Sequence, residues 1–290
     1  MKSRDSDHHS KRIRRSFSQA AGRYDESAGL QRVVASELID HIAAMAAPFP
    51  AILDIGCGTG FLTSALRRQF PSSTVAGADF SHPMLSHASR KAQDRNLRFV
   101  TTDGAALSFR DETFDLVASS LAYQWLPDLP RAFAEAHRVL LPGGAFVFSL
   151  LGEGTFRELK TTYREAVARG GQTDLPPLME FPPPSRVRAA LASAGFHLPE
   201  AGINVVEKRR YYTTLYKFLR TVNNIGAANP FSAAERGGTL ARGALLRKVA
   251  ALYHEKYGVS GETGAVPATG QDEENIYATY TILMCGAVKA

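Results

Sequence analysis

Cysteine is nearly absent. The 290 residues contain two, Cys57 and Cys285, too few and too far apart for a disulfide framework, so a reducing cytoplasm is the expected compartment. Tryptophan occurs once, at Trp125. No apolar run approaches the ~18 residues a membrane-spanning helix needs, and no membrane association is expected. The stretch Met1–Ser10 is polar and no apolar segment follows it, so no secretory signal is expected. Internal repeats and low-complexity tracts are lacking. No Ser/His/Asp set or group of metal-ligating side chains stands out, and no metal site is expected. Aromatic and basic residues do not interleave and no recognition motif is evident, which sets a nucleic-acid reader aside.

What is present is an ordinary globular balance, 44% hydrophobic and 21% charged, with a net charge of +6 that suits an acidic partner. Residues 1–12 are charged and aperiodic and read as a disordered tail, with His8-His9 a solvated pair. The rest, 13–290, reads as a single domain. Ile13, Phe17, Ala20, Ala21 and Tyr24 recur at helical spacing, and so do Leu30, Val33, Val34, Leu38, Ile39 and Ile42. Residues 13–47 are therefore expected to form two helices, stopped by Pro48 and Pro50. Strand and helix signals then alternate as in a doubly wound α/β fold. Strands are expected at Ala51–Ile55, Thr74–Ala78, Leu97–Thr101, Phe114–Ser119 and, past a turn at Pro142–Gly144, Ala145–Leu150. Helices are expected at Phe61–Gln69, Pro83–Asp94, Leu129–Leu140, Thr155–Arg169 and Ser185–Ala194. Later come strands at Ile203–Tyr212 and Ile276–Val288, with helical patches at Leu215–Val222 and Leu240–Tyr257 in an insert over 213–258. Gly258–Asn275 reads as a loop.

The densest signal is Ile52–Gly60, Ile-Leu-Asp-Ile-Gly-Cys-Gly-Thr-Gly. A buried strand stops at three alternate glycines, Gly56, Gly58 and Gly60, and a helix starts at Phe61. Glycines gather where the backbone takes positive φ or a ligand presses on the main chain. The dinucleotide fingerprint G-x-G-x-x-G fails, because Phe61 stands at its third glycine, and a phosphate loop fails for want of a lysine. The remaining pattern, from Asp54, resembles motif I of class I S-adenosylmethionine methyltransferases, whose glycine backbone approaches the methionine part of the cofactor.

Other candidates follow at the strand ends, where open α/β sheets bind ligands. Asp79 stands 25 residues after Asp54. It either accepts hydrogen bonds from a ribose diol or caps the next helix, a task Ser81 can take. Asp103-Gly104 ends strand three, where the resembling family meets the adenine amino group. Met84, Leu107 and Phe109 are either an apolar wall for the adenine or core. Ser119 ends strand four, and Gln124 and Trp125 follow it where methyl group and acceptor meet in such enzymes; a core role for Trp125 is the alternative.

Further patterns narrow the resemblance. Phe17-x-x-Ala20-Ala21-x-x-Tyr24-Asp25 is followed by Leu30-Gln31. Leu121-Ala122-x-Gln124-Trp125 comes next, with Ser120 where an Asn is common. Then come Phe148–Gly152 with Gly154-Thr155-x-x-Glu158-Leu159, Ile225-Gly226-Ala227-x-Asn229, and Tyr277–Tyr280. Over about residues 13–288 the chain looks like the malonyl-acyl-carrier-protein O-methyltransferases of biotin synthesis. Methyltransferase-like assembly factors of respiratory complex I share Ser119–Leu121 and Asp128–Pro130, but the Tyr24 region and Gln124-Trp125 favour the biotin family. The resemblance implies a Rossmann-like α/β fold with a mostly parallel seven-stranded sheet, an antiparallel last strand, N-terminal helices and a helical lid insert. It places the cofactor-binding core at 51–150. It also implies S-adenosyl-L-methionine as methyl donor and the malonyl carboxylate on acyl carrier protein as acceptor; Tyr24 is the candidate for closing the N-terminal helix over the donor, a plain hydrophobic contact being the alternative.

That chemistry suits the residues. A carboxylate with a pKa near ~4 is already a nucleophile at neutral pH and needs no general base. Residues 201–258 hold ten Lys/Arg against three Glu. Lys208, Arg209, Arg210, Lys217 and Arg220 are therefore candidates for a basic face that docks the acidic carrier, a solvated surface being the alternative. Arg157, Lys160 and Arg209 are candidates for the substrate carboxylate or thioester region. Methylation of another small molecule, and a non-methylating assembly or hydroxylation role, are the competing functions.

Overall fold

The computed structural model describes residues 15–19, 21–92, 94, 97–170, 179–199, 202–225, 239–259 and 275–290. The readings for the 1–12 tail, Gly226–Asn229 and most of the loop after Gly258 lie outside them. Apolar runs bounded by turn residues become strands β1 (Ala51–Ile55), β2 (Thr74–Asp79), β3 (Leu97–Thr101), β4 (Phe114–Ser120) and β5 (Leu140–Leu151). Four more follow: β6 (Phe196–His197), β7 (Ile203–Tyr212), β8 (Gly258–Val259) and β9 (Asn275–Lys289). They form one sheet in the order β3-β2-β1-β4-β5-β9-β6, with β7 and β8 also paired to β9. β1 to β5 pair in parallel, and β9 runs antiparallel to β5 and β7. Among the described residues, β6 and β8 are two residues long and the longer strands number the seven expected.

The helices are α1 (Tyr24–Ser27), α2 (Gly29–Ala44), α3 (Phe61–Gln69), α4 (His82–Lys91), α5 (Leu129–Val139), α6 (Arg157–Arg169), α7 (Pro184–Ser193), α8 (Leu215–Asn224) and α9 (Thr239–Tyr257). Central strands are buried on both faces because helices cover each side. Ile52, Leu116 and Val147 pack with Leu38, Ile42, Leu62 and Leu66 on one face. Leu53, Val117 and Phe146 pack with Phe133, Val139 and Leu191 on the other. A third cluster joins Leu159, Phe218, Val249 and Tyr253 to Tyr280 and Ile282. Among the described residues no helix is long and apolar enough to cross a membrane, and no group of metal-ligating side chains occurs.

Two elements depart from the expected pattern. The first N-terminal helix is interrupted: residues 15–19 are helical, 21–23 form a turn that includes Gly22, and α1 begins at Tyr24. Glycine in a short helix favours such a break, and the segment then follows the site rather than its own axis. Pro142–Gly144 does not separate two elements. It sits inside β5, where Gly143 takes φ 76° and the pairing with β4 shifts between Phe114 and Leu116, a bulge that absorbs the proline.

Candidate active site

The glycine loop is held by backbone. The Gly56 and Cys57 amides both donate to the Ala78 carbonyl, at 2.7 and 3.0 Å. Gly56 has φ 71°, and a β-carbon there would sit 2.3 Å from that of Ala122, so no other residue fits without displacement. The Gly58 amide donates to Asp79 Oδ2 at 2.9 Å, and the Ser81 amide donates to Oδ1 at 2.8 Å. Asp79 thus braces the loop against the start of α4. Burial raises its pKa, and the backbone donors oppose the rise.

Asp54 is fully buried one layer below. Thr63 Oγ1 donates to its Oδ2 at 2.6 Å, while Oδ1 has no partner. Burial pushes its pKa up to about 7 against the hydrogen bond from Thr63. It lines a small cavity of about 50 Å³ with Tyr24 and Gln31, whose Oε1 is likewise unpaired.

A cavity of about 310 Å³ opens at the carboxyl ends of β1, β2 and β4. Gly56, Gly58, Asp79, Met84, Asp103 and Gly104 line it, as do Leu107 and Ser120. Asp103 Oδ1 accepts the Ala105 amide at 2.9 Å and so closes its own turn. Tyr24 and Phe17 form the N-terminal wall, with Phe17 edge-on to Phe80 at 5.9 Å and to Trp125 at 5.8 Å. Burial and the nearby Asp79 and Asp25 carboxylates push the Tyr24 phenol up. Asp25 fastens this segment: Thr59 Oγ1 donates to its Oδ1 at 2.7 Å, Lys91 pairs with its Oδ2, and His87 lies 3.6 Å away. Burial alone would raise the Asp25 pKa, but Lys91 and Thr59 bring it below the ordinary value.

Several candidates lie elsewhere. Ser119 faces inward and donates to the Ile55 carbonyl at 2.7 Å, and the alternation of β4 gives the cavity Ser120 instead. A β-carbon on Gly60, at φ 80°, would meet Ala88 at 3.0 Å, so this glycine lets α4 approach the loop and does not line the cavity. Phe109 packs on Phe114, with centroids 5.2 Å apart. Gln124 folds back so that Nε2 donates to the Leu121 carbonyl at 2.7 Å, and it lines a neighbouring groove.

The basic residues do not form one face. On β7, Lys208 pairs with Glu37 of α2, Arg210 lies against Gly29, and Arg209 stacks over Tyr277 at 4.7 Å. Arg157 pairs with Glu207. Lys217 and Arg220 are exposed on α8. Phe80 and the clamping role of Asp25 are site features that the sequence patterns do not single out, although these residues directly follow Asp79 and Tyr24.

Residues 53–148 match the model of a methyltransferase domain. The class is therefore an S-adenosyl-L-methionine-dependent methyltransferase, acting on oxygen, with that cofactor as methyl donor. The fold is shared with the YcgJ protein of Bacillus subtilis at a TM-score of 0.55 and 16% identity, over 88% of this chain and 98% of that one. The chain is 37% identical to the malonyl-[acyl-carrier protein] O-methyltransferase of Geobacter sulfurreducens over 89% of its own length and 95% of that protein. It is 30% identical to the mitochondrial arginine-hydroxylase NDUFAF5 of Rattus norvegicus, over 83% and 68%. The chain belongs to the malonyl-[acyl-carrier protein] O-methyltransferase family.

Proposed function

We propose that the chain methylates the free carboxylate of a malonyl thioester on acyl carrier protein, giving the methyl ester that primes pimeloyl and biotin synthesis in the cytoplasm. The observation that carries this is the pair of adjoining cavities: a strand-end cavity with carboxylates at its rim, and beyond Trp125 a groove lined by cationic side chains. The strand-end cavity fits the methyl donor. A β-carbon on Gly58 would meet nothing within 4 Å, so a ligand can lie on this backbone, and the unpaired acceptors Asp54 Oδ1 and Gln31 Oε1 lie beside the small cavity that shares Tyr24, Gly56 and Gly58 with it. Gly56 and Gly58 would hold the methionine part and Asp79 the ribose. Asp103 and Gly104 would take the adenine edge, against Met84 and Leu107. Tyr24 would close the site, and α8 and α9 would act as its lid, α8 reaching the N-terminal segment where Asn224 Nδ2 donates to Ser27 Oγ at 3.3 Å.

When bound, the donor supplies a methyl group activated by its sulfonium. Held by Gly56, Gly58 and Asp79, it would present that methyl to the acceptor carboxylate, which is already anionic at neutral pH. No proton would move, so no base is needed, and among the described residues no histidine lines the strand-end cavity. The protein orients the pair and excludes water, with Trp125 and the Phe17–Phe80 contact closing the wall.

The test is incubation with labelled S-adenosylmethionine and malonyl-carrier protein, succinyl-carrier protein or free malonate, read by mass spectrometry. Methyl ester on the malonyl carrier is expected. Its absence from a protein that binds the donor overturns the proposal.

A further inference from the structure

The groove beyond Trp125 holds about 610 Å³ and shares Tyr123, Trp125, Leu126 and Pro127 with the strand-end cavity. Along α6, Arg157, Lys160 and Arg164 recur at three- and four-residue spacing, which puts them on one helix face. Arg186 faces them from α7, and Glu153 and Glu180 are the carboxylates of the lining. Arg157 is already committed to Glu207.

Lys160 differs from its neighbours. It is half-buried, its ammonium lies 5.5 Å from the centre of the Phe181 ring, and it has no ion pair among the described residues. Phe181 in turn packs edge-on to Trp125, with centroids 6.5 Å apart. Lys160, Phe181 and Trp125 thus form a chain of contacts from the groove to the wall of the strand-end cavity. Burial holds the Lys160 pKa below the usual lysine range. Burial disfavours its charge and the Arg164 guanidinium adds to that, while Glu180 and Glu153 offset it only from beyond ion-pair distance, so an arriving anion relieves it. Arg164 and Arg186 are exposed, towards the solvent side of the groove. The lining thus presents one inner cation beside the wall and two outer guanidiniums, which suit a phosphodiester.

We propose that this groove is the acceptor channel: Lys160 binds one oxygen of the acceptor carboxylate beside Trp125 and leaves the other free to react, while Arg164 and Arg186 hold the phosphodiester of a phosphopantetheine arm. This rests on the carrier-thioester reading above, but it assigns residues that α8 and β7 do not supply.

The test is binding of three short thioesters to the full chain: malonyl-phosphopantetheine, acetyl-phosphopantetheine, which lacks the carboxylate, and malonyl-pantetheine, which lacks the phosphate. S-adenosylhomocysteine binding serves as the folding control. Lys160→Gln is expected to weaken both malonyl thioesters about tenfold, the loss of a charged hydrogen bond, and to leave the acetyl one unchanged. Arg164→Gln with Arg186→Gln is expected to weaken both phosphopantetheine thioesters and leave malonyl-pantetheine unchanged. Malonyl binding that is unaltered in Lys160→Gln overturns the assignment. Should that variant misfold, wild-type protein answers: malonyl-phosphopantetheine should protect Lys160 from acylation by acetic anhydride, and full labelling in its presence overturns the assignment. Wild-type protein that binds the malonyl thioester through Lys160 yet forms no ester would sink the proposed reaction and keep the channel. Ester formed at unchanged KM by Lys160→Gln would do the reverse.

Discussion

Asp54 accepts a single side-chain hydrogen bond, from Thr63, and leaves Oδ1 unpaired in a buried position. Its pKa of about 7 in the folded chain lies above the ordinary carboxylate value. The folded state therefore holds this proton more tightly than the unfolded one. The stability linked to it is complete below about pH 4 and is lost as pH rises through about 7, at no more than ~1.4 kcal/mol per pH unit. Asp54→Asn, without donor, should flatten the fall in melting temperature between pH 5 and pH 8, measured by scanning calorimetry. A variant that keeps the wild-type slope would show that Asp54 is already ionised at the lower pH.

The N-terminal segment acts as an element only through its contacts. Asp25 joins it to Thr59 of the loop and to Lys91 and His87 of α4. Asp25→Ala should weaken S-adenosylhomocysteine binding about tenfold, as expected when a partly buried charged network loses its centre, and should speed proteolysis between Phe17 and Ser27. Unchanged affinity by calorimetry would leave the segment a passive cover. This element also marks the limit of what the sequence discloses. β1 and β7 begin and end where apolar runs meet turn residues, so local pattern suffices, and both match the expected bounds residue for residue. Gly22 signals the break before α1, but where the segment lies depends on Phe17 meeting Phe80 and Trp125, two rings distant in sequence, and periodicity carries no trace of that. Likewise, the choice of Ser120 over Ser119 depends on which side of β4 meets the cavity. Two adjacent serines at a strand end do not state that phase. The opposite placement of Lys208 and Arg209 was readable in principle, because a strand alternates, and only their grouping as one basic patch hid it.

At the scale of the molecule, the net charge of +6 is distributed over surfaces with different duties. Cations on β7, α6 and α9 pair with Glu37, Glu207 and Glu165 and so are partly spent within the fold. Lys217 and Arg220 are exposed one turn apart on α8, whose other side buries Leu215, Phe218, Leu219 and Val222. They remain available to steer an acidic protein. Reversing both to Glu should raise KM for the carrier-bound acceptor several-fold at low salt, reduce the salt dependence of that KM, and leave the short thioesters unaffected. Steady-state kinetics across ionic strength checks this, and equal salt slopes for variant and wild type would assign docking to another surface.

The chain has one indole, and it stands in the wall common to both cavities. All tryptophan emission therefore comes from the boundary where the two ligands would meet. A stacking or dehydrating event on either side alters the same fluorophore, with no background from a second. The protein thereby carries an intrinsic optical probe of its own occupancy, and the order in which its sites fill can be followed by stopped-flow fluorescence on the unlabelled, unmodified chain.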